Sequence, residues 1–118
     1  MAVEETRLGD YESKIGKNEG TAAAFWDYLK DKKSVGIINE DPSIGLIEAA
    51  HPIGVIGCIT PATNPTVTPL GNFMHAVKCK NAVIISPAPR AEKTSTETVN
   101  LIRKALAANG APEDLIHR

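Results

Sequence analysis

The chain of 118 residues reads as an α/β protein: a short parallel sheet wound as strand–helix–strand–helix, preceded by helices and a β-hairpin. Three observations carry that expectation. First, two short runs rich in Val and Ile, Val55 to Ile59 and Ala82 to Ile85, are bounded by Gly54 and Pro61 and by Asn81 and Pro87. Runs of that length and composition suit strands buried on both faces. Second, Val67, Leu70, Met74 and Val77 recur between them at i, i+3, i+7 and i+10, the spacing of one helix face. Third, another helical pattern with start and stop signals follows the second run. Strand, helix and strand in that order cross over right-handed.

The elements follow in order. Residues 1–33 read as helical, with interruptions expected at Gly9 and Gly16. Asn18 is placed to cap a helix through Ala22, Phe25, Trp26 and Leu29, with Lys30, Lys32 and Lys33 at its C-terminal end. Tyr11, Phe25, Trp26 and Tyr28 gather here and read as core or interface packing. Residues 34–53 read as a hairpin, Val35 to Ile38 against Ile44 to Ala50, around the turn Glu40-Asp-Pro-Ser43. His51-Pro52 ends the second strand, and His51 has no second ligand at metal spacing. Residues 54–118 form the sheet unit. Thr94-Ser-Thr-Glu97 has the capping-box pattern, and Val99, Ile102, Ala105 and Leu106 give the apolar face. Asn109-Gly110 is the left-handed stop, with Pro112 after it. Leu115-Ile116 then opens a third strand. So few strands leave sheet edges unpaired, which points to part of a larger protein.

Composition narrows the class. A net charge of −1 and a pI near 6.3 provide no pull toward nucleic acid or a membrane surface. No apolar run approaches the roughly 20 residues of a membrane span, and Met1-Ala-Val-Glu-Glu-Thr6 lacks the pattern of a signal peptide. Cys58 and Cys79 are too few for a disulfide framework and lack zinc-ligand spacing. A reducing, cytoplasmic setting is the expectation.

The chemistry concentrates at the loop Thr60 to Thr66, which leaves the carboxyl end of a parallel strand, where open α/β sheets bind ligands. Asn64 stands out, between the strand end and Pro65, a residue suited to a first helical position. Its side chain has two possible uses. The oxygen can cap the helix. Alternatively, the amide NH₂ can face the crevice as a donor to a developing oxyanion. Spacing alone does not separate the two; without further information the cap is the commoner use of such a residue. Ser86-Pro-Ala-Pro-Arg90 follows the second strand, with Ser86 and Arg90 as its polar groups, and a nucleotide could lie across both loops. No Gly-x-Gly-x-x-Gly follows either strand. Cys58 reads as a small buried hydrophobe. Cys79 stands between Lys78 and Lys80, with His75 one turn earlier, and also reads as structural.

Gly54-Val-Ile-Gly-Cys-Ile-Thr-Pro-Ala-Thr-Asn-Pro-Thr66, Lys80-Asn-Ala-Val-Ile-Ile-Ser-Pro-Ala-Pro-Arg-Ala91 and Asn109-Gly-Ala-Pro-Glu-Asp-Leu-Ile116 resemble the aldehyde dehydrogenase superfamily. They look most like its coenzyme A-acylating branch, which includes acetaldehyde, propionaldehyde, succinate-semialdehyde and sulfoacetaldehyde dehydrogenases. Ala2-Val-Glu-Glu-Thr6 and Lys14-Ile-Gly-Lys-Asn18 fit the same branch. The resemblance implies a partial Rossmann-like domain and an oxidoreductase that uses NAD or NADP. A thiolate attacks a small aldehyde, hydride passes to the nicotinamide, and coenzyme A takes the acyl group. It implies that Asn64 is the catalytic asparagine that helps stabilise the oxyanion. Ile59, Thr60, Pro61, Ala62 and Thr63 would line the cofactor cleft, and Ser86, Pro87 and Ala88 would lie near the adenosine ribose. Many non-acylating members carry a lysine and a glutamate in that last segment; Ser86 and a proline-containing run stand here, which leaves NAD against NADP open. The hairpin would belong to the arm through which members form homo-oligomers. No metal is implied. The nucleophilic cysteine is expected downstream of Arg118, since neither Cys58 nor Cys79 matches its motif. The chain would then be an N-terminal part of the cofactor domain, inactive alone. A non-catalytic nucleotide-binding or subunit-interaction module is the alternative.

Overall fold

A computed structural model describes residues 1–118. The elements are α1 (Ala2–Thr6), α2 (Tyr11–Leu29), β1 (Gly36–Asp41), β2 (Leu46–Ala50), β3 (Val55–Thr60), α3 (Val67–Lys78), β4 (Ala82–Pro87), α4 (Glu92–Ala108) and β5 (Ile116–His117). A 3₁₀ turn, Pro89–Ala91, leads into α4. Strands β3, β4 and β5 form a parallel sheet in that order, with Val55 opposite Ala82, Thr60 opposite Pro87 and Val83 opposite Ile116. The α/β class and the third strand expected at Leu115-Ile116 are both present. No helix is long and apolar enough to cross a membrane.

The core lies between the sheet and the helix pair α3 and α4. Phe73, Ala76, Val83, Ile85, Val99, Ile102 and Ile116 are buried together. Val67, Pro69, Phe73 and Ala76 are the buried apolar side chains of α3, while Leu70, Met74 and Val77 pack half-buried at the margin. The buried face is therefore rotated from the predicted one, with Met74 and Val77 beside Trp26 and Leu29 of α2.

The expectation that the strands are buried on both faces is not met. Ile56, Cys58, Val83 and Ile85 point into the core, but Val55, Ile59 and Ile84 are 60%, 89% and 49% exposed. The cause is topological. Two right-handed crossovers that step the same way put both helices on one face of the sheet. The other face keeps the apolar pattern of a covered strand without a cover.

The hairpin pairs antiparallel, Gly36 with Ala50 through Asp41 with Leu46, with an irregularity between Ile37 and Asn39. Both strands start later than the sequence suggests: β1 runs on through Glu40 and Asp41, β2 is shorter and starts at Leu46 rather than Ile44, and the turn is carried by residues 42–45, with Gly45 at φ +67°. The hairpin projects from the body. The radius of gyration is 16.5 Å, against about 13.5 Å for a compact chain of this length.

Several local expectations are corrected. Gly9, at φ +74°, and Arg7, at φ 56°, do break the N-terminal helix, but Gly16 lies inside α2. The cap of α2 is Asp10, whose carboxylate accepts from the Ser13 N–H at 2.9 Å; Asn18 lies inside the helix. That hydrogen bond holds the Asp10 carboxyl below the usual range. Helix α4 starts at Glu92, so Thr94 sits in its first turn and forms no capping box. Its open N–H groups on Lys93 and Thr94 donate instead to the Glu5 carboxylate, both at 2.7 Å, and Thr94 Oγ1 donates to it as well. A carboxylate at a helix N-terminus is favoured by the dipole and by the unpaired N–H groups. Burial alone would raise the Glu5 pKa; the bonds from Thr94 and Lys93 win, and it falls. Arg90, expected at the crevice, donates to the Thr6 carbonyl at 2.9 Å and so fastens α1 to this end.

Helix stops follow the rules of their sequences. After α4, Gly110 takes φ +71°, and the Ala111 N–H donates to Leu106 O at 2.9 Å. After α3 the same motif forms with Lys80 at φ 57° and Asn81 N donating to Ala76 O at 2.9 Å. Asn81, 5% exposed, then accepts from Ile53 N at 2.7 Å and Gly54 N at 2.9 Å, clamping the start of β3 to the start of β4.

Candidate active site

The sheet presents its carboxyl edge where β3 and β4 end together. Ile59 and Ser86 are register partners, as are Thr60 and Pro87. The Ala88 N–H donates to the Thr60 carbonyl at 2.9 Å, so the segment after β4 is tied to the end of β3. Alternation then divides the side chains. Ile59 and Ser86 are exposed on the bare sheet face. Thr60 is turned inward, 1% exposed, and its hydroxyl has no hydrogen-bond partner. Pro61 and Thr63 are exposed, and Ala62, Pro87 and Ala88 are half-buried. A shallow groove of ≈ 600 Å³ runs past Ser86, Pro87 and Pro89, with Glu92 and Arg118 paired at its side.

Asn64 occupies a second hollow, of ≈ 390 Å³, walled by Thr63, Gly9, Asp10, Lys14 and Lys17. The predicted residues are thus brought to one edge of the sheet, but Asn64 and Thr63 face one hollow while Ser86 and Pro87 face another.

Helix α3 begins at Val67 with Thr66 at the cap, and no side chain caps it. Pro65 is buried in the preceding turn, and the Asn64 main-chain carbonyl accepts from Thr68 N at 3.2 Å. The Asn64 side-chain oxygen accepts from Lys17 Nζ at 2.5 Å. Its amide nitrogen has a single contact, at 3.5 Å to Thr63 Oγ1. A cap would use the oxygen on a helix N–H; here the oxygen is held by an ammonium, and the NH₂ is left as a donor.

Two side chains absent from the expected site shape it. Lys14 and Lys17 lie one turn apart on α2, and Lys14 Nζ donates to the Thr63 carbonyl at 2.6 Å. Burial and the neighbouring Lys17 charge lower the Lys14 pKa. The available signal was the absence of a partner: no carboxylate stands three or four residues from Lys17 in either direction.

The cysteines are not poised for attack. Burial pushes the Cys58 thiol up, against a hydrogen bond with Asn72, and Cys58 packs under the core. His75 binds its own helix through Gly71 O at 2.7 Å and meets Phe25 edge-on, with ring centroids 5.5 Å apart. No group of His, Cys, Asp and Glu could hold a metal ion. An apolar hollow of ≈ 240 Å³ between Trp26, Leu29, Met74 and Val77 lies at the opposite end of α3 from Asn64.

The sequence and the fold are both similar to those of known proteins. The model of the aldehyde dehydrogenase family matches residues 8–117. A succinate-semialdehyde dehydrogenase (acetylating) of Clostridium kluyveri is 48% identical over 115 residues, 98% of this chain and 25% of that protein. A probable aldehyde dehydrogenase of Listeria monocytogenes superposes with a TM-score of 0.89 at 35% identity, over 98% of this chain and 26% of that one. A propionaldehyde dehydrogenase of Rhodopseudomonas palustris, solved with bound CoA, superposes with a TM-score of 0.72 at 36% identity, again over 98% and 26%. An engineered glycolyl-CoA reductase with bound NADP⁺ gives 0.71 at 35%, over the same shares. The chain therefore spans about a quarter of the length of the relatives it matches. With the parallel sheet, the Thr-Asn-Pro turn at its carboxyl edge and a match over nearly the whole sequence, this chain belongs to the aldehyde dehydrogenase family.

Proposed function

We propose that this chain contributes the first part of the cofactor domain to a longer, cytoplasmic, CoA-acylating aldehyde dehydrogenase, which converts a small aldehyde, CoA and NAD or NADP to acyl-CoA and reduced nicotinamide. The observation that carries the reading is Asn64. In a member of this family, its amide NH₂ lies beside the carboxyl edge of the sheet with only a long contact to Thr63 Oγ1, while its oxygen is occupied by Lys17. Asn64 then donates to the oxygen of the aldehyde as a nucleophile from elsewhere in the polypeptide attacks the carbonyl carbon. A donor already aimed at the developing charge lowers the barrier without reorganising.

The strand ends fit a dinucleotide. Ile59 and Pro61 offer exposed apolar wall, and the adjacent Ser86 offers a hydroxyl. Ile59, Thr60, Pro61, Ala62 and Thr63 would line the cleft, and Ser86, Pro87 and Ala88 the ribose end. The bound nicotinamide supplies the hydride acceptor. The chain's own contribution is to hold the strand ends in register and to keep Asn64 oriented. The hairpin, with Ile37, Ile44, Leu46 and Ile47 exposed, suits an arm that packs on another subunit of a homo-oligomer.

The test is the full-length protein that contains this chain, incubated with NAD⁺ or NADP⁺, CoA and acetaldehyde, propionaldehyde or succinate semialdehyde. Reduced nicotinamide should appear together with the acyl-CoA. Oxidation to a free acid with no CoA dependence would overturn the acylating assignment; no turnover of any aldehyde, with nucleotide bound, would favour a binding module.

A further inference from the structure

We propose that Lys17 is a positioning residue for Asn64: its ammonium fixes which face of the amide meets the substrate. The inference rests on the oxyanion role of Asn64 proposed above. A primary amide has an oxygen and an NH₂ of nearly the same shape, exchanged by a half-turn about one bond. Only one of the two can stabilise an oxyanion; the other repels it. Something must choose. An ammonium donates and never accepts, so a lysine against the amide accepts only the oxygen-in orientation. Lys17 Nζ lies 2.5 Å from Asn64 Oδ1. No other donor holds that oxygen, and no helix N–H uses it.

The contact is built into the fold. Lys17 lies on α2, 47 residues from Asn64, and Lys14, one turn earlier, grips the Thr63 carbonyl at 2.6 Å. Two ammoniums on consecutive turns therefore hold the same short loop, one by its backbone and one by its amide. An isolated exposed lysine contact has little energetic effect; a pair that fixes both the loop and the rotamer sets orientation. A positive charge on the amide oxygen also draws density from the nitrogen and strengthens its N–H as a donor, as in other charge-assisted hydrogen bonds.

The experiment is single-turnover hydride transfer in the full-length protein, with whichever of acetaldehyde, propionaldehyde and succinate semialdehyde turns over fastest. Lys17→Met should slow transfer by roughly 10-fold to 100-fold, the scale of a misplaced catalytic group, with little change in nucleotide affinity. Lys17→Arg, still a donor-only cation, should recover to within a few-fold. Lys17→Gln, which can present either a donor or an acceptor, should remain impaired. In an Asn64→Ala background, Lys17→Met should have no further effect, because the two act as one unit. A second readout does not need turnover: in ¹H–¹⁵N spectra, the Asn64 side-chain NH₂ resonances should move in Lys17→Met and stay near wild type in Lys17→Arg. Asn64→Ala with normal hydride transfer would overturn the oxyanion reading itself. Asn64→Ala slow but Lys17→Met unimpaired, or the two effects multiplying, would overturn the role of Lys17 alone. Unmoved Asn64 amide resonances in Lys17→Met would do the same.

Discussion

Gly71→Ala tests how α2 is seated on α3, and therefore how Lys14 and Lys17 are brought to the Thr63–Asn64 turn. Gly71 is buried on α3, and a Cβ there would lie 2.6 Å from Cε2 and Cζ of Phe25 and 3.3 Å from Cδ2. Carbon atoms pack at about 3.5–4.0 Å, so the ring would have to retreat by about 1 Å. The ring is confined on one side by the His75 imidazole, edge-on at 5.5 Å. Two terms oppose each other. Ala in a helix interior is favoured over Gly by about 1 kcal/mol. Forcing extra volume into a packed contact costs about 1–3 kcal/mol. The substitution should therefore cost between about 0 and 2 kcal/mol in the native chain. With the ring removed in Phe25→Ala, the same change should stabilise by about 1 kcal/mol. The coupling between the two sites, rather than either value alone, is the quantity to measure. Urea unfolding followed by far-UV circular dichroism supplies all four corners of the cycle. An equal gain from Gly71→Ala in both backgrounds would show that the ring moves aside freely and that the α2–α3 contact does not depend on Gly71.

Other outcomes are specific to single residues. Lys80→Gly should raise stability by about 1 kcal/mol, since Lys80 holds φ 57° where glycine carries no Cβ penalty; unchanged or lower urea stability would contradict this. Asn81→Ala should lower it by about 1–3 kcal/mol, because the Ile53 and Gly54 N–H groups lose their acceptor, as amide exchange at those two positions would report. The Glu5 pKa is lowered in the fold, so its stabilising effect is present above the ordinary carboxylate range and is lost as pH falls through the lowered value. Glu5→Gln should therefore reduce the stability difference between neutral and acid pH, and an identical acid limb in thermal melts would contradict that linkage.

Much of the sheet unit was legible because its signals are local. Val55 to Ile59, Ala82 to Ile85 and the Asn109-Gly110 stop each act within a few residues, and β3, β4 and the end of α4 lie where those residues place them. The misreadings have other causes, and at Thr94 and Asn64 the cause is competition from distant partners. Thr94 has a capping-box spacing, but Glu5, 89 residues earlier, takes its N–H and hydroxyl. Asn64 has a cap's position, but Lys17 takes its oxygen. Asn18 and Gly16 look like a start and a break, yet Asp10 caps earlier and the helix runs through both. The two-sided apolar pattern of Val55, Ile59 and Ile84 describes a covered strand, while two crossovers of one hand cover only one side. Of the site, the strand ends and Asn64 were legible as candidates; the proposed use of Asn64 rests on Lys17, which no local rule connects to it.

The central claim is that Asn64 works through its NH₂ and not as a helix cap. The most direct measurement compares Asn64→Ala and Asn64→Asp in the full-length protein, by melting temperature and single-turnover hydride transfer. An aspartate keeps an acceptor oxygen, and would keep the contact to Lys17, but presents a second oxygen where the donor was. Both variants should slow hydride transfer by roughly 10² to 10³, the loss of one oxyanion donor, with Asn64→Asp at least as slow as Asn64→Ala and at least as stable. An Asn64→Asp protein with near-normal hydride transfer would contradict the account, and the catalytic role of Asn64 would be withdrawn.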